Sequence, residues 1–311
     1  MRKRSTQNSQ NPQSKPIRSA GSAVSALIVI FAIVVSGQAT PKFDSNRAWE
    51  HLRQMVAIGP RPAGSPAIEQ TRKYIKDQLA AIGLKATDQA WDDETPLGKV
   101  HMVNLIVTIP GTSKDRLAIT GHYDTKLFRE FRFVGASDGG SSAASLLELA
   151  RVLKARRNPL TIELVFLDGE EAVVEWRGND HTYGSRHYVA SAQRDGSIKS
   201  LKAMILIDMI GDRDLGIRRD SYSTPWLSEI IWRQAATMKL GNVFLPALTT
   251  VEDDHLPFLS AGVPSVDIID LDYDAWHTQR DTLDAVSARS LQVVADVVLA
   301  SLPEIESRLA H

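Results

Sequence analysis

Two adjacent carboxylates, Glu170 and Glu171, follow directly on an apolar run, Thr161 to Leu167, and its Asp168-Gly169 stop. The run is rich in branched and aromatic residues and reads as a buried strand. Neighbouring side chains in an extended or turning segment point in different directions. One glutamate can therefore bind a metal while the other stays free, and a free carboxylate beside a Lewis-acid metal suits general acid/base chemistry. Taken alone, Gly-Glu-Glu reads first as a solvated acidic turn. Its company argues for chemistry.

Other apolar runs end in the same way. Leu117 to Thr120 leads into Gly121-His122-Tyr123-Asp124-Thr125-Lys126, and Gly135-Ala136-Ser137-Asp138-Gly139-Gly140 stands just before a helix. Leu201 to Ile207 ends at Asp208, and the Pro264 to Ile269 run leads on to Trp276-His277-Thr278. Each residue has a plain structural reading. Asp138 could cap a helix, His122 could be a core histidine, Asp208 could close a turn and His277 could be a packed loop residue. Together they are His, Asp and Glu beyond the carboxyl ends of successive strands, where open α/β sheets bind ligands. That is the donor set of a hydrolytic-type zinc site. The sequence has no cysteine, which removes disulfides, thiolate zinc sites and cysteine nucleophiles together.

The elements that must position these residues alternate. Helical spacing covers Asn46 to Ile58 (Trp49, Leu52, Met55, Val56), and a Gly59-Pro60 loop separates it from a second helix, Ala67 to Ile82, closed by Gly83. Met102 to Ile109 and Leu117 to Thr120 read as strands joined by a Pro110-Gly111 turn. Helices are expected over Ser141 to Ala155, near Arg186 to Gln193, over Pro225 to Met238 and over Ser287 to Leu309. The alternation argues for a three-layer α/β/α sandwich with a mixed, mostly parallel central sheet. No linker divides it, so residues 40–311 read as one zinc-dependent catalytic domain.

The chain has 311 residues, 43% hydrophobic and 23% charged, with a formal net charge of -1, ample for a full core. That balance gives no sign of a nucleic-acid partner. Residues 1–39 hold a basic stretch, an apolar run from Ala20 to Val35 and the small residues Ser36-Gly37-Gln38-Ala39. This is the layout of a secretory signal peptide, the apolar run being shorter than the roughly 20 residues of a comfortable spanning helix. Export, periplasmic or secreted, is expected, and the membrane is a partner only if the segment stays as an uncleaved anchor. A monomer is expected.

His122-Tyr123-Asp124-Thr125-Lys126, Gly135-Ala136-Ser137-Asp138, Asp168-Gly169-Glu170-Glu171-Ala172 with Trp176, Tyr183-Gly184-Ser185-Arg186-His187, Glu252-Asp253-Asp254-His255-Leu256-Pro257-Phe258 and Trp276-His277-Thr278 resemble the glutaminyl cyclases of the zinc aminopeptidase-like superfamily. The resemblance runs from about Trp49 to the C-terminus and includes the Ile58-Gly59-Pro60-Arg61 loop. It implies a single zinc held by Asp138, Glu171 and His277, with Glu170 as general acid/base and Asp208 and Asp253 hydrogen-bonded to Glu170 or to each other. It implies Trp176 and Trp276 as walls of the substrate pocket, and peptides or proteins with an N-terminal glutamine as substrates, cyclised to pyroglutamate by acyl transfer with loss of ammonia. Trp49, Trp226, Trp232, Leu256 and Phe258 read as core, and His255 as either a support or a helix-start residue.

The pattern departs from the animal enzymes in two places. There is no cysteine for their disulfide, and Asp270-Leu271-Asp272-Tyr273-Asp274-Ala275 is more acidic than the phenylalanine-proline loop expected there. Asp272 or Asp274 is a candidate for favouring a basic substrate, beside simple solvation. A two-zinc aminopeptidase on the same scaffold stays open, with His122 and Asp208 as further ligands of a second metal. Trp176, the Glu252 to His255 stretch and the Trp276 to Thr278 triplet belong to the cyclase pattern. A non-catalytic relative would have lost a ligand or Glu170, and none is lost.

Overall fold

The computed structural model describes residues 41–310, and the reading of residues 1–39 as signal or anchor lies outside them. Two helices lead, α1 (Ser45–Ile58) and α2 (Pro66–Ala81), followed by β1 (Ala86–Thr95), β2 (Gly98–Ile109), β3 (Arg116–His122), α3 (Gly140–Ala155), β4 (Thr161–Leu167) and α4 (Tyr183–Asp195). Then come β5 (Leu201–Asp208), β6 (Ile217–Asp220), α5 (Pro225–Thr237), β7 (Phe244–Thr249), α6 (His255–Ser260), β8 (Ser265–Ile269) and α7 (Ala288–Leu309). Helix starts carry local chemistry: Asp44 and Ser65 cap α1 and α2 through their side chains, and Pro66 opens α2 where its missing N–H costs nothing.

The main sheet runs β1-β2-β4-β3-β5-β8. β3 pairs in parallel with β4 and β5, and β5 with β8, whereas β1, β2 and β4 pair antiparallel. The expected mixed, mostly parallel sheet is present. The order within it was not legible: the Pro110-Gly111 turn leads from β2 to β3, yet β4 lies between them. β6 and β7 form a separate parallel pair.

Alternation along the inner strands sorts apolar side chains onto two faces. Leu117, Ile119, Leu164, Phe166, Ile205 and Ile207 join a large core with α1, α2, α3, α5 and α7. Ala118, Val165, Leu167, Met204 and Leu206 face the other way, against Tyr188 and Val189 of α4 and Phe258 of α6. Full burial of each large aliphatic side chain contributes about 1.5–3 kcal/mol, so both faces hold the sheet. Strand β1, at the edge, was not read from sequence because only Ala86 is buried and Asp88, Asp92, Asp93 and Glu94 interrupt its pattern; such charges discourage edge pairing. Among the described residues no helix is long and apolar enough to cross a membrane.

Candidate metal centre and active site

β4, β3, β5 and β8 are parallel neighbours, so their carboxyl ends share one edge of the sheet. His122 and Asp208 are the last residues of β3 and β5, and Glu170 and Glu171 follow β4. Asp138 precedes α3, whose N-cap is Gly139 with no side-chain cap. The capping reading of Asp138 therefore fails, and its carboxylate is turned to the site. Gly139 has φ +72°, and a Cβ there would lie 2.5 Å from the Asp124 carbonyl oxygen and 2.9 Å from the His122 ring. Only glycine lets the loop bring Asp138 this close to His122.

Asp138, Glu171 and His277 converge. His277 Nε2 stands 3.2 Å from Glu171 Oε1 and 3.3 Å from Asp138 Oδ2. A tetrahedral zinc with bonds of about 2.0–2.1 Å separates its ligand atoms by about 3.3 Å, so the three donors fit that ion. Asp138 Oδ2 is also buried without a hydrogen bond, a cost that a cation would remove. His277 sits at φ +52°, unusual for a non-glycine residue. Burial opposes charge on its ring, but the Asp138 and Glu171 carboxylates outweigh burial and push it up to about 10. Burial and the neighbouring Asp138 push Glu171 up to about 7 despite His277.

His122, Asp138 and Asp208 form a second group. His122 Nε2 lies 3.1 Å from Asp208 Oδ1 and 3.2 Å from Asp138 Oδ1, and Nδ1 lies 3.3 Å from Asp124 Oδ1. Burial works against the imidazolium, yet Asp208 and Glu170 hold it well above the ordinary histidine range. Asp208 Oδ1 already accepts from the Met209 amide at 2.7 Å and the Ser142 hydroxyl at 3.3 Å.

Glu170 is buried beside this group, 3.8 Å from His122 Nδ1. Burial pushes its carboxyl well above the usual range, His122 opposes, and Asp253 adds to the rise. Asp253 is pushed well up by burial and then by Asp208. Asp208 and Asp253 line the same cavity as Glu170. His122 stands between Asp208 and Glu170, and the carboxyls act on one another through their fields.

Further residues fix this arrangement and were not assigned from sequence. Asp124 accepts from the backbone amides of Glu170 at 3.2 Å and Glu171 at 3.3 Å. Arg61, fully buried, donates to the carbonyls of Tyr123, Val134 and Gly135 and so ties the β3 end to the Asp138 loop. Asp281 binds the amides of Ser137 and Asp138 and the Tyr273 hydroxyl. Such carboxylates carry no local sequence signature. His255, by contrast, both opens α6 and is buried 3.1 Å from Asp220.

Asp138, Glu170, Glu171, Asp208, Asp253 and His277 line a cavity of about 490 Å³ together with Trp176, Trp276, Val174, Glu175, Glu252 and Leu271, within the usual range of ligand sites. Both expected tryptophans thus face it, and Trp276 stacks on His277 with ring centroids 4.6 Å apart. Asp272 and Asp274 do not line it. Asp272 pairs with Arg218, and Asp274 lines a separate depression with Asp212 and Asp284. Both are exposed, in keeping with simple solvation.

The profile of peptidase family M28 matches residues 104–302. The glutaminyl-peptide cyclotransferase of Bothrops jararaca is 31% identical over 283 residues, covering 78% of this chain and 77% of that one. The chain belongs to the glutaminyl-peptide cyclotransferases of peptidase family M28. A solved Acidobacteriales bacterium glutaminyl cyclase superposes with a TM-score of 0.83 and 39% identity, covering 87% of this chain and 97% of that one. A leucine aminopeptidase precursor from Bacteroides thetaiotaomicron superposes at 0.77 with 26% identity, over 85% and 98% of the two chains.

Proposed function

We propose that this chain cyclises the N-terminal glutamine of peptides to pyroglutamate, releasing ammonia, with one zinc held by Asp138, Glu171 and His277. The observation that carries the reading is Glu170, buried in the same cavity as a zinc-type triad, in a chain whose relatives are glutaminyl-peptide cyclotransferases. When bound, zinc supplies Lewis-acid polarisation of a carbonyl oxygen.

The protein's own residues move the proton and hold the substrate. The substrate's α-amine nitrogen bonds to its side-chain amide carbon, and the bond from that carbon to the amide nitrogen breaks. Glu170 takes the proton from the attacking nitrogen and delivers it to the departing one, which leaves as ammonia. Burial, against His122 and with Asp253, raises the Glu170 carboxyl well above the usual carboxylate range, the direction a group that both takes and returns a proton needs. Asp208 holds His122 beside Glu170. Trp176 and Trp276 give the cavity aromatic walls, and ring closure within one substrate needs no outside nucleophile. The reaction is an acyl transfer, and residues 1–39 support export.

A two-zinc aminopeptidase is the second reading, favoured by the matching spacing of His122, Asp138 and Asp208. Against it, Asp208 Oδ1 already has two hydrogen-bond donors besides His122, whereas Asp138 Oδ2 has none. Offering Gln-β-naphthylamide and Leu-anilide to the purified chain separates the two: ammonia and a pyroglutamyl product support cyclisation, and anilide hydrolysis supports the aminopeptidase.

A further inference from the structure

The cavity has a floor and a rim of different character. The floor is buried carboxylate, Asp138, Glu170, Glu171, Asp208 and Asp253. The rim is open and mixed: Val174 is 53% and Trp276 43% exposed, and Glu175 and Glu252 line the same cavity and face solvent. Among the described residues neither glutamate has an ion-pair partner. Lys126 also lines the cavity, but its ammonium donates to the Ala172 carbonyl at 3.0 Å.

The rim is built, not loose. The Asp180 carboxylate accepts from the amides of Val173 at 3.0 Å, Val174 at 2.9 Å and Glu175 at 2.9 Å, and from the Tyr183 hydroxyl at 2.7 Å. Burial alone would raise its carboxyl, but these donors hold it below the ordinary range. The same turn carries Trp176, stacked on His181 with centroids 4.3 Å apart.

On the cyclase reading, the terminal glutamine occupies the floor. An extended chain advances about 3.3–3.6 Å per residue, so the next side chain reaches the rim. We infer that the rim selects the residue after the glutamine, favouring a cationic side chain and disfavouring an acidic one through Glu175 and Glu252. A lysine or arginine stem lies against Val174 and Trp276, its charge meets the indole face, and the two free carboxylates supply the attraction. An acidic side chain meets the same carboxylates as repulsion, which is how rim charges discriminate between partners.

The test compares three peptides, Gln-Lys, Gln-Ala and Gln-Glu at their first two positions, on the zinc-loaded full chain at low salt. The expected ratio of kcat/KM for Gln-Lys over Gln-Glu is on the order of tenfold, the size reached when a few exposed charge interactions add. It falls towards one in the double variant Glu175→Gln/Glu252→Gln and in about 1 M salt. The charge-matched pair Glu69→Gln/Asp195→Asn, exposed and away from the cavity, keeps the wild-type ratio. A wild-type ratio near one, a ratio that survives in E175Q/E252Q, or an equal loss in the control pair overturns the assignment. Turnover of Gln-Ala without discrimination sinks the rim alone. Absence of Gln-Ala cyclisation sinks the cyclase reading and the rim with it.

Discussion

Asp281 holds Asp138 from the far side of the sequence: its Oδ2 accepts the Asp138 amide at 3.2 Å while its Oδ1 accepts the Ser137 amide at 2.8 Å and the Tyr273 hydroxyl at 2.7 Å. The loop that carries His277 and the loop that carries Asp138 are thereby fastened to each other. Replacing one acceptor oxygen by an amide nitrogen, in Asp281→Asn, turns a donor towards a donor. Zinc affinity is expected to drop about 10–100-fold, the usual size for groups that orient ligands, with the far-UV circular dichroism unchanged. Chelator competition measures it, and undiminished affinity would remove the clasp from the account.

Glu170 and His277 separate chemistry from metal retention. Glu170→Gln keeps the shape and the zinc but lacks the titrating oxygen, so turnover falls by about a hundredfold to ten-thousandfold. His277→Ala removes one of the triad's donors and loses zinc as well. Metal content and rate, read on the same preparations, test both roles. Normal turnover in the Glu170 variant would reassign the proton relay.

Metal uptake is expected to release protons. In the metal-free chain the carboxylates hold His277 up to about 10, and burial holds Glu171 up to about 7, yet both must be deprotonated to bind zinc. About one proton leaves at pH 8 and more at pH 6, so affinity rises with pH. Calorimetry in two buffers of different ionisation enthalpy counts the protons. A proton count of zero throughout that range would be incompatible with the triad as ligands.

A pH-dependent part of stability lies far from the site, at His51. Burial, then Arg47, depresses its ring from 6.5 to about 4, and its Nδ1 lies 2.8 Å from the Tyr74 hydroxyl. Between those values the unfolded chain binds more protons than the folded one, so stability falls as pH falls from 6.5 to 4 and is fully present above 6.5. The contribution is on the order of 1–3 kcal/mol after allowing for partial exposure. Urea unfolding at pH 7 and pH 4.5 should show a smaller difference in His51→Gln than in the parent; equal differences would exclude this origin.

What the sequence made legible follows from how local each signal is. β4 was readable to the residue because its apolar run is unbroken and ends at Asp168-Gly169. β6 is four residues long and β7 is mostly exposed, so neither carries a burial pattern that would stand out. The residues of the triad were legible because they sit in motifs at strand ends. The groups that hold them, Asp124 and Asp281, act by accepting backbone amides across the fold, and an aspartate in a loop gives no hint of that. That His122 stands between Glu170 and Asp208 is likewise a fact of packing, not of spacing.

The central claim is tested most directly by mass spectrometry of a peptide with an N-terminal glutamine, incubated with the purified chain while zinc is counted in the same sample. The account predicts a product lighter by one ammonia, with its full length retained, and about one zinc per chain. A peptide shortened by its first residue, with about two zinc ions per chain, would contradict it and establish the aminopeptidase instead.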